Sequence, residues 1–362
     1  MPHLTAYSVP TPARWLILAV ALFLASAAST ADNTIPRVIP SRLIPVPDTV
    51  SPALQKLIAK APVRRSKQLP QTPQEWTTFR ATLSKSVAPF LLEARNKFAV
   101  TTVPQMIGGI HCYVVTPRTI DPAHHEHLLL GVHGGSFIVG GGEAGLLEAI
   151  EMAGSTHIKT IAIDYRMPPE HPFPAALEDA IAVWRDVIHT IPPADIAVFG
   201  HSAGAALALS FVQRARTLGL PLPGAIIAGS PWADLSQTGD TYFTHAGVDN
   251  LLPTYEGELE AAARLYANGR DLKDPQLSPV YNDFAGFPPT FLVSGTRDLF
   301  LSNTVRVHHK LLAARVPTEL EVEEGQSHTQ YLSAAMEGAP EAHELYAQMA
   351  SFLSTHLGHS RH

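Results

Sequence analysis

The chain holds a single cysteine, Cys112. One thiol excludes an intramolecular disulfide, whatever the redox state of the compartment. Cys112 sits in the strand-like run Ile110-His111-Cys112-Tyr113-Val114-Val115, where a small core residue fits better than a reactive thiol. Basic blocks are missing too: 26 Lys and Arg stand against 32 Asp and Glu, a formal charge of −6. That leaves no electrostatic footprint for a nucleic-acid partner. There is no internal repeat and no low-complexity tract. The one marked apolar run, Trp15 to Ala25, is too short for a comfortable membrane-spanning helix.

What the chain does have is apolar mass. Hydrophobic residues make up 46% of its 362 positions, enough for a large core without disulfides or metals, and the length suits one large α/β domain with a cap. Residues 1–31 read as a secretory signal: Arg14 flanks the apolar run, and small residues follow from Ala25 to Ala31. Cleavage after Ala27 or Ala31 fits, and no cysteine lies there to take a lipid. The expectation is a periplasmic or secreted protein with no stable membrane span once the signal is removed. An uncleaved membrane anchor is the alternative.

Residues 32–50 are proline-rich and aperiodic, like an extended arm. Helical patterns follow at Pro52–Ala59 and Pro73–Phe98, with Pro73 suited to a first helical turn. Together, residues 32–104 read as an N-terminal arm and cap helices. From about residue 105 the pattern alternates. Strands are expected at 110–115, 127–133, 159–164, 195–199, 224–229, 290–294 and 318–323, and helices at 143–157, 173–189, 203–218, 302–315 and 340–356. This alternation predicts an α/β fold: a mostly parallel central sheet with helices on both faces, over 105–362. Leu128-Leu129-Leu130-Gly131-Val132 is apolar throughout, as a central strand buried on both faces requires. The long interval between Gly229 and Thr290, with a helix near 255–267, predicts a helical cap insertion at about 232–275. It would lie at the C-terminal edge of the sheet, where such folds bind ligands.

Four loops carry the chemistry. The first is Gly200-His201-Ser202-Ala203-Gly204. A serine hydroxyl is a poor nucleophile unless it is exposed beside a base, and a sharp strand-to-helix turn flanked by small residues exposes it. At about 7% glycine, the pattern would arise by chance in about one chain in ten of this length. Its frame makes it specific: Ile196-Ala197-Val198-Phe199 reads as a strand before it, and Ala203 onward as a helix after it. The second is His133-Gly134-Gly135-Ser136-Phe137, after the strand at 128–132. Acyl transfer needs preorganised donors for an oxyanion, and the N–H groups of Gly134, Gly135 and Ala203 are the candidates. His133 reads as structural. The plain alternative is a simple glycine-rich loop.

The third and fourth are Ser294-Gly295-Thr296-Arg297-Asp298 and Gly325-Gln326-Ser327-His328, each directly after an expected strand. His328 would take the proton of Ser202, and Asp298 would orient and stabilise the imidazole. Hydrolysis should then rise with pH as the imidazole loses its proton. His308 and His309 fall in an expected helix, His189 lies near a helix end, and the rival acid Asp283 precedes its strand rather than following it. His124-His125-Glu126-His127 lacks metal-ligand spacing, so no metal is expected there. The proline-rich run Pro168 to Pro174 reads as a rigid path for the chain.

These residues resemble the hormone-sensitive-lipase-like esterase family of α/β-hydrolases, over roughly residues 105–357. The likeness rests on His133-Gly134-Gly135, on Asp164 to Ala176, on Gly200-His201-Ser202-Ala203-Gly204, and on Asp298 and His328. Ser278-Pro279-Val280-Tyr281 and Phe287-Pro288-Pro289-Thr290 look like the members described as epsilon-lactone hydrolases. The resemblance implies the α/β-hydrolase fold, a helical cap, no cofactor, and small acyl substrates. The chain departs from the family's pattern at Ser136, usually a third glycine, and at His201, usually aspartate.

The expected function is a serine esterase or lactonase acting through a covalent acyl-enzyme on a small ester or lactone. The alternatives are a non-catalytic small-molecule binder on the same fold and a hydrolase of small amides. All the expected catalytic positions are present, which disfavours the binder. Phe137, Trp232, Phe243 and Tyr266 are candidate pocket residues, with ordinary core packing as the competing reading for each. The sequence leaves the oligomeric state open, a homodimer included.

Overall fold

The computed structural model describes residues 38–63 and 69–358, so the signal reading of residues 1–31 lies outside them. Residues 38–44 belong to a first unit, Met1–Ile44, and form no helix or strand. Every element below belongs to the second unit, Pro45–His362.

Eight strands form one sheet: β1 Val100–Ile107, β2 Ile110–Pro117, β3 Leu128–Val132, β4 Thr160–Ile163, β5 Ile196–His201, β6 Ala225–Gly229, β7 Thr290–Gly295 and β8 Thr318–Glu323. Their spatial order is β1-β2-β4-β3-β5-β6-β7-β8. β2 runs antiparallel to β1 and β4, and every other neighbouring pair is parallel. β1 went unseen in the sequence and moves the start of this domain from about 105 to Val100. The cause is its polarity. Thr101, Thr102, Pro104 and Gln105 give no apolar alternation, and most of its middle is exposed. As an edge strand it pairs on one side only, which is where a proline is tolerated.

The inner strands are buried on both faces, and one strand shows why. On β5, Ile196 and Val198 join one core cluster, while Ala197 and Phe199 join the other. The first face is covered by α4 (Ala175–Val187), α5 (Ala203–Thr217), α7 (Glu258–Ala267) and α8 (Leu301–Ala313). The second is covered by α1 (Pro52–Ile58), α3 (Leu146–Thr156), α9 (Gln330–Glu337) and α10 (Pro340–His356). Side chains alternate across a strand, so layers on both faces need continuous apolar strands. Among these helices α9 had no counterpart in the sequence reading. Cys112 is fully buried on β2, and burial pushes its thiol up to about 12.

α2 (Pro73–Lys97) starts on a capping box: Thr72 Oγ1 accepts the Glu75 N–H at 3.2 Å, and Glu75 Oε2 accepts the Thr72 N–H at 3.1 Å. Its Trp76 packs in the first core cluster. Arg80, one turn on, pairs with Glu170 at 2.9 Å and also donates to the carbonyl of Pro168. The segment between β6 and β7 carries the short helix α6 (Thr241–Thr244) and α7. Much of it is buried, including Leu235, Tyr242, Tyr255 and Leu259. Among the described residues no helix is long and apolar enough to cross a membrane.

Candidate active site

Ser202 stands between β5 and α5 with φ 58° and ψ −123°, a conformation that costs an L-residue free energy and persists only when its surroundings enforce it. The enforcement is steric and hydrogen-bonded. A Cβ on Gly204 would run into the Val132 carbonyl and the backbone of His133, and one on Gly200 into the backbone of Gly204. The Ser202 N–H donates to the Gly229 carbonyl at 2.8 Å, and the Ser202 carbonyl accepts the Trp232 N–H at 3.0 Å. The turn therefore leans on β3, β6 and the loop after β6 together. Ser202 is partly exposed, and its Oγ forms no hydrogen bond to any described residue.

The loop after β3 lies against this turn: a Cβ built on Gly134 would sit 3.4 Å from that of Ser202. Here the sequence reading needs correction. The Gly134 N–H donates to Glu148 Oε1 of α3 at 2.9 Å, so it is not free to meet an oxyanion. The next two residues take φ of 104° at Gly135 and 54° at Ser136, and their N–H groups have no acceptor among the described residues. Ala203 is the first residue of α5, where an N–H has no intrahelical partner. The free donors are thus Gly135, Ser136 and Ala203. The serine in the third position of the motif already occupies the left-handed conformation that glycine favours.

His133 braces the loop from within. Its ring stacks on Tyr165 at 4.1 Å, its Nδ1 lies 2.7 Å from the Gly134 carbonyl, and its own carbonyl accepts the Tyr165 hydroxyl at 2.8 Å. Glu148 is half-buried, and the desolvation of its carboxyl, partly offset by the Gly134 N–H, raises its pKa to about 8.

Asp298 and His328 meet in the loops after β7 and β8. His328 Nδ1 lies 3.0 Å from Asp298 Oδ1, and both side chains are buried. Asp298 Oδ1 also accepts the Phe300 N–H at 2.8 Å, and its Oδ2 accepts the Ser294 hydroxyl at 2.8 Å. Burial alone would raise its pKa. The adjacent imidazole and these hydrogen bonds prevail and hold it below the ordinary range. The bond at Nδ1 leaves Nε2 as the imidazole's other face.

An aromatic chain links the two halves. Phe137 of the loop after β3 lies 6.1 Å from Trp232, Trp232 stacks on Phe300 at 5.6 Å, and Phe300 meets the His328 ring edge-on at 4.8 Å. Phe137 also stacks on Tyr266 of α7 at 3.9 Å. Three of the four expected pocket residues thus gather beside the Ser202 turn. Phe243 does not: on the short α6 it is 65% exposed, turned to solvent, and that expectation fails. His201, beside Ser202, is fully buried, with Nδ1 2.6 Å from the Tyr331 hydroxyl. Burial, with the repulsion of His328, pushes its imidazole down to about 3, so it is neutral at ordinary pH and brings no charge to the turn.

The rejected candidates sit elsewhere. Asp283 is exposed, 3.9 Å from Arg216, and His308 and His309 lie on α8. His124 and His127 approach each other, Nδ1 to Nδ1, at 2.8 Å, and His124 Nε2 bonds Ser354 at 2.9 Å. Among the described residues no group of three or more His, Cys, Asp or Glu side chains could hold a metal ion. Three contributors escaped the sequence reading: Glu148, Ser294 and a second buried carboxylate, Asp249. Ser294 could have been found, because it lies within the loop motif already singled out; Glu148 and Asp249 carry no local pattern.

Residues 129–332 match the model of a family described as alpha/beta hydrolase fold. An acetyl-hydrolase of Streptomyces hygroscopicus is 34% identical over 213 residues, 58% of this chain and 70% of that protein. The crystal structure of an esterase named E25 superposes with a TM-score of 0.85 at 41% identity, covering 89% of this chain and 99% of that one. An esterase from the bacterial hormone-sensitive lipase family does so with a TM-score of 0.70 at 26% identity, over 85% of this chain and 99% of that one.

Proposed function

The chain belongs to the hormone-sensitive-lipase-like esterases of the alpha/beta hydrolase fold, and on that premise we propose that it cleaves small carboxylic esters, lactones included, with Ser202 as nucleophile. The observation that carries this reading is the buried His328–Asp298 hydrogen bond of 3.0 Å, on the loops that follow β7 and β8. It fixes Nδ1 as the proton-bearing nitrogen and leaves Nε2 to act on Ser202.

The reaction runs in two halves. Ser202 Oγ attacks the carbonyl carbon as its proton moves to His328 Nε2. The carbonyl oxygen becomes an oxyanion, held by the N–H groups of Gly135, Ser136 and Ala203. Collapse expels the alkoxide, which takes the proton from His328 and leaves an acyl group on Ser202. A water molecule then gives a proton to His328 as it attacks the acyl carbon. The second tetrahedral intermediate collapses, His328 returns that proton to Ser202 Oγ, and the carboxylic acid leaves. Asp298 stays ionised throughout and stabilises the imidazolium of each half. In a lactone the expelled alkoxide stays tethered to the acyl group, and the product is a hydroxy acid.

Small acyl groups are favoured by what already fills the surroundings. Phe137, Trp232 and Tyr266 are almost fully buried, with Phe137 stacked on Tyr266 and tilted by 31° to Trp232 at 6.1 Å, and they occupy space that a long chain would need. The N-terminal signal reading supports action outside the cytoplasm. Its check is the first residue of the exported protein, expected at Ala28 or Asp32.

The test is a panel of short-chain p-nitrophenyl esters and lactones, run with the wild type and Ser202→Ala. The substitution is expected to abolish turnover. Undiminished hydrolysis by Ser202→Ala would sink the proposal.

A further inference from the structure

Asp249 lies in the segment between β6 and β7, outside any helix or strand, and its side chain has no exposed surface. Its carboxylate accepts four backbone N–H groups. Oδ1 takes those of Leu251 and Leu252, both at 2.8 Å, which closes a local turn. Oδ2 takes those of Leu299 at 2.8 Å and His328 at 3.0 Å. Leu299 follows Asp298 directly, so one oxygen atom ties the loop after β7 to the loop after β8. The same segment holds both loops at further points. The Asn250 N–H donates to Ser327 Oγ at 3.0 Å, and His245 Nδ1 lies 2.9 Å from the Asp298 carbonyl oxygen.

A local turn does not require this carboxylate. Burying it costs free energy, and burial together with the nearby charge of Asp298 pushes its pKa up. What the carboxylate supplies, and a packed apolar side chain would not, is an acceptor for two N–H groups that belong to different loops.

We propose that Asp249 is a positioning residue for the reaction at Ser202: by clamping the N–H groups of Leu299 and His328 it fixes the separation and aim of the Asp298–His328 pair. The proposal rests on the triad reading above. Asp249 is sealed from the substrate, so it acts through the pair and not by binding. Its loss should lower kcat and leave KM nearly alone. A displacement of about 1 Å in such a group can cost about 100-fold in rate.

The experiment uses the full chain with Asp249→Ala and Asp249→Asn, beside Ser202→Ala and the surface control Asp271→Asn. The asparagine variant keeps the volume but sets an amide NH2 against two of the four N–H donors. Active sites are counted with a fluorophosphonate run to completion, and kcat and KM are measured with p-nitrophenyl acetate. The far-downfield proton resonance of His328 Nδ1–H is followed by NMR.

Both Asp249 variants are expected to lose about 10- to 100-fold in kcat per titrated site, with KM within about threefold and the downfield resonance shifted or broadened. Asp271→Asn should match the wild type. A variant that was merely less stable would lose titratable sites and keep its kcat per site. Folded Asp249 variants with kcat per site within about threefold of wild type would overturn the clamp, and an inactive Ser202→Ala beside them would leave the triad standing. An active Ser202→Ala would instead overturn the triad. If neither Asp249 variant folds, amide exchange in the wild type decides. The N–H groups of Leu299 and His328 should be as protected as those of β7 and β8, and rapid exchange at either would refute the clamp.

Discussion

The two halves of the site are built by different forces. On the Ser202 side the holding is steric: Gly200 and Gly204 leave no room for a Cβ, and Ser202, Gly135 and Ser136 are forced to positive φ. On the Asp298–His328 side the holding is electrostatic. Ser294, the Phe300 N–H and the Asp249 clamp fix two loops that local sterics would leave free. Steric demands are local, because only a few residue types fit them. Polar clamps can come from anywhere in the chain, and here Asp249 stands far from both loops it joins.

Substitutions can break this contrast, and the largest effect is expected on the electrostatic side. Asp298→Asn keeps the shape but removes the charge and favours the wrong imidazole tautomer. It should lower kcat by about 10⁴-fold, measured with p-nitrophenyl acetate, while the fold stays intact by circular dichroism. On the steric side, Gly204→Ala forces a methyl into the Val132 carbonyl and the His133 backbone, which cannot swing away as a side chain can. The expected loss is about 3 kcal/mol in denaturant unfolding. The accompanying fall in kcat/KM should be about 100-fold, because the proposed oxyanion donors would shift with the turn. If Gly204→Ala kept full stability, the turn would not be sterically determined.

Smaller effects sharpen the comparison. Ser294→Ala removes one hydroxyl bond to the Asp298 carboxylate, and kcat should fall about tenfold, in line with a hydrogen bond to a charged group. Glu148→Gln tests the polar anchor beneath the steric half. Burial raises this carboxyl to about 8 from the ordinary 4.5, so between those pH values the folded chain keeps a proton that the unfolded chain has lost. Stability contributed by this group is therefore full below about pH 4.5, falls as pH rises, and levels off above about 8. In Glu148→Gln, thermal denaturation should show a shallower decline over that window. The rate at about pH 6 should change less than threefold, since the amide oxygen can still accept the Gly134 N–H. An unchanged pH slope would mean that Glu148 is ionised in the folded state.

The same contrast explains what could be read from the sequence. The Ser202 turn was legible because glycine at 200 and 204, between an apolar strand and an alanine-rich helix, has few other uses. The inner strands were legible because burial on both faces makes Leu128–Val132 or Ile196–Phe199 apolar throughout. Asp298 and His328 could be placed because each directly follows such a strand. β1 could not be seen, since an exposed edge strand has no apolar pattern to show. The partner of the Gly134 N–H could not be seen either: Glu148 reads as one more acidic helix residue until α3 is packed on the sheet. That hidden bond moved the expected oxyanion donors one residue along, from Gly134 and Gly135 to Gly135 and Ser136. Phe243 misled for the opposite reason, because an aromatic residue in a cap segment suits a pocket and a surface equally well.

Covalent trapping tests the role of Ser202 most directly. The wild type, Ser202→Ala and His328→Ala are treated with a fluorophosphonate, digested, and analysed by mass spectrometry. The expected result is a single adduct on the peptide carrying Ser202, formed quickly in the wild type, slowly in His328→Ala, and absent from Ser202→Ala. An adduct on another residue, or an unlabelled Ser202 in a sample whose ester hydrolysis has been fully blocked, would contradict it.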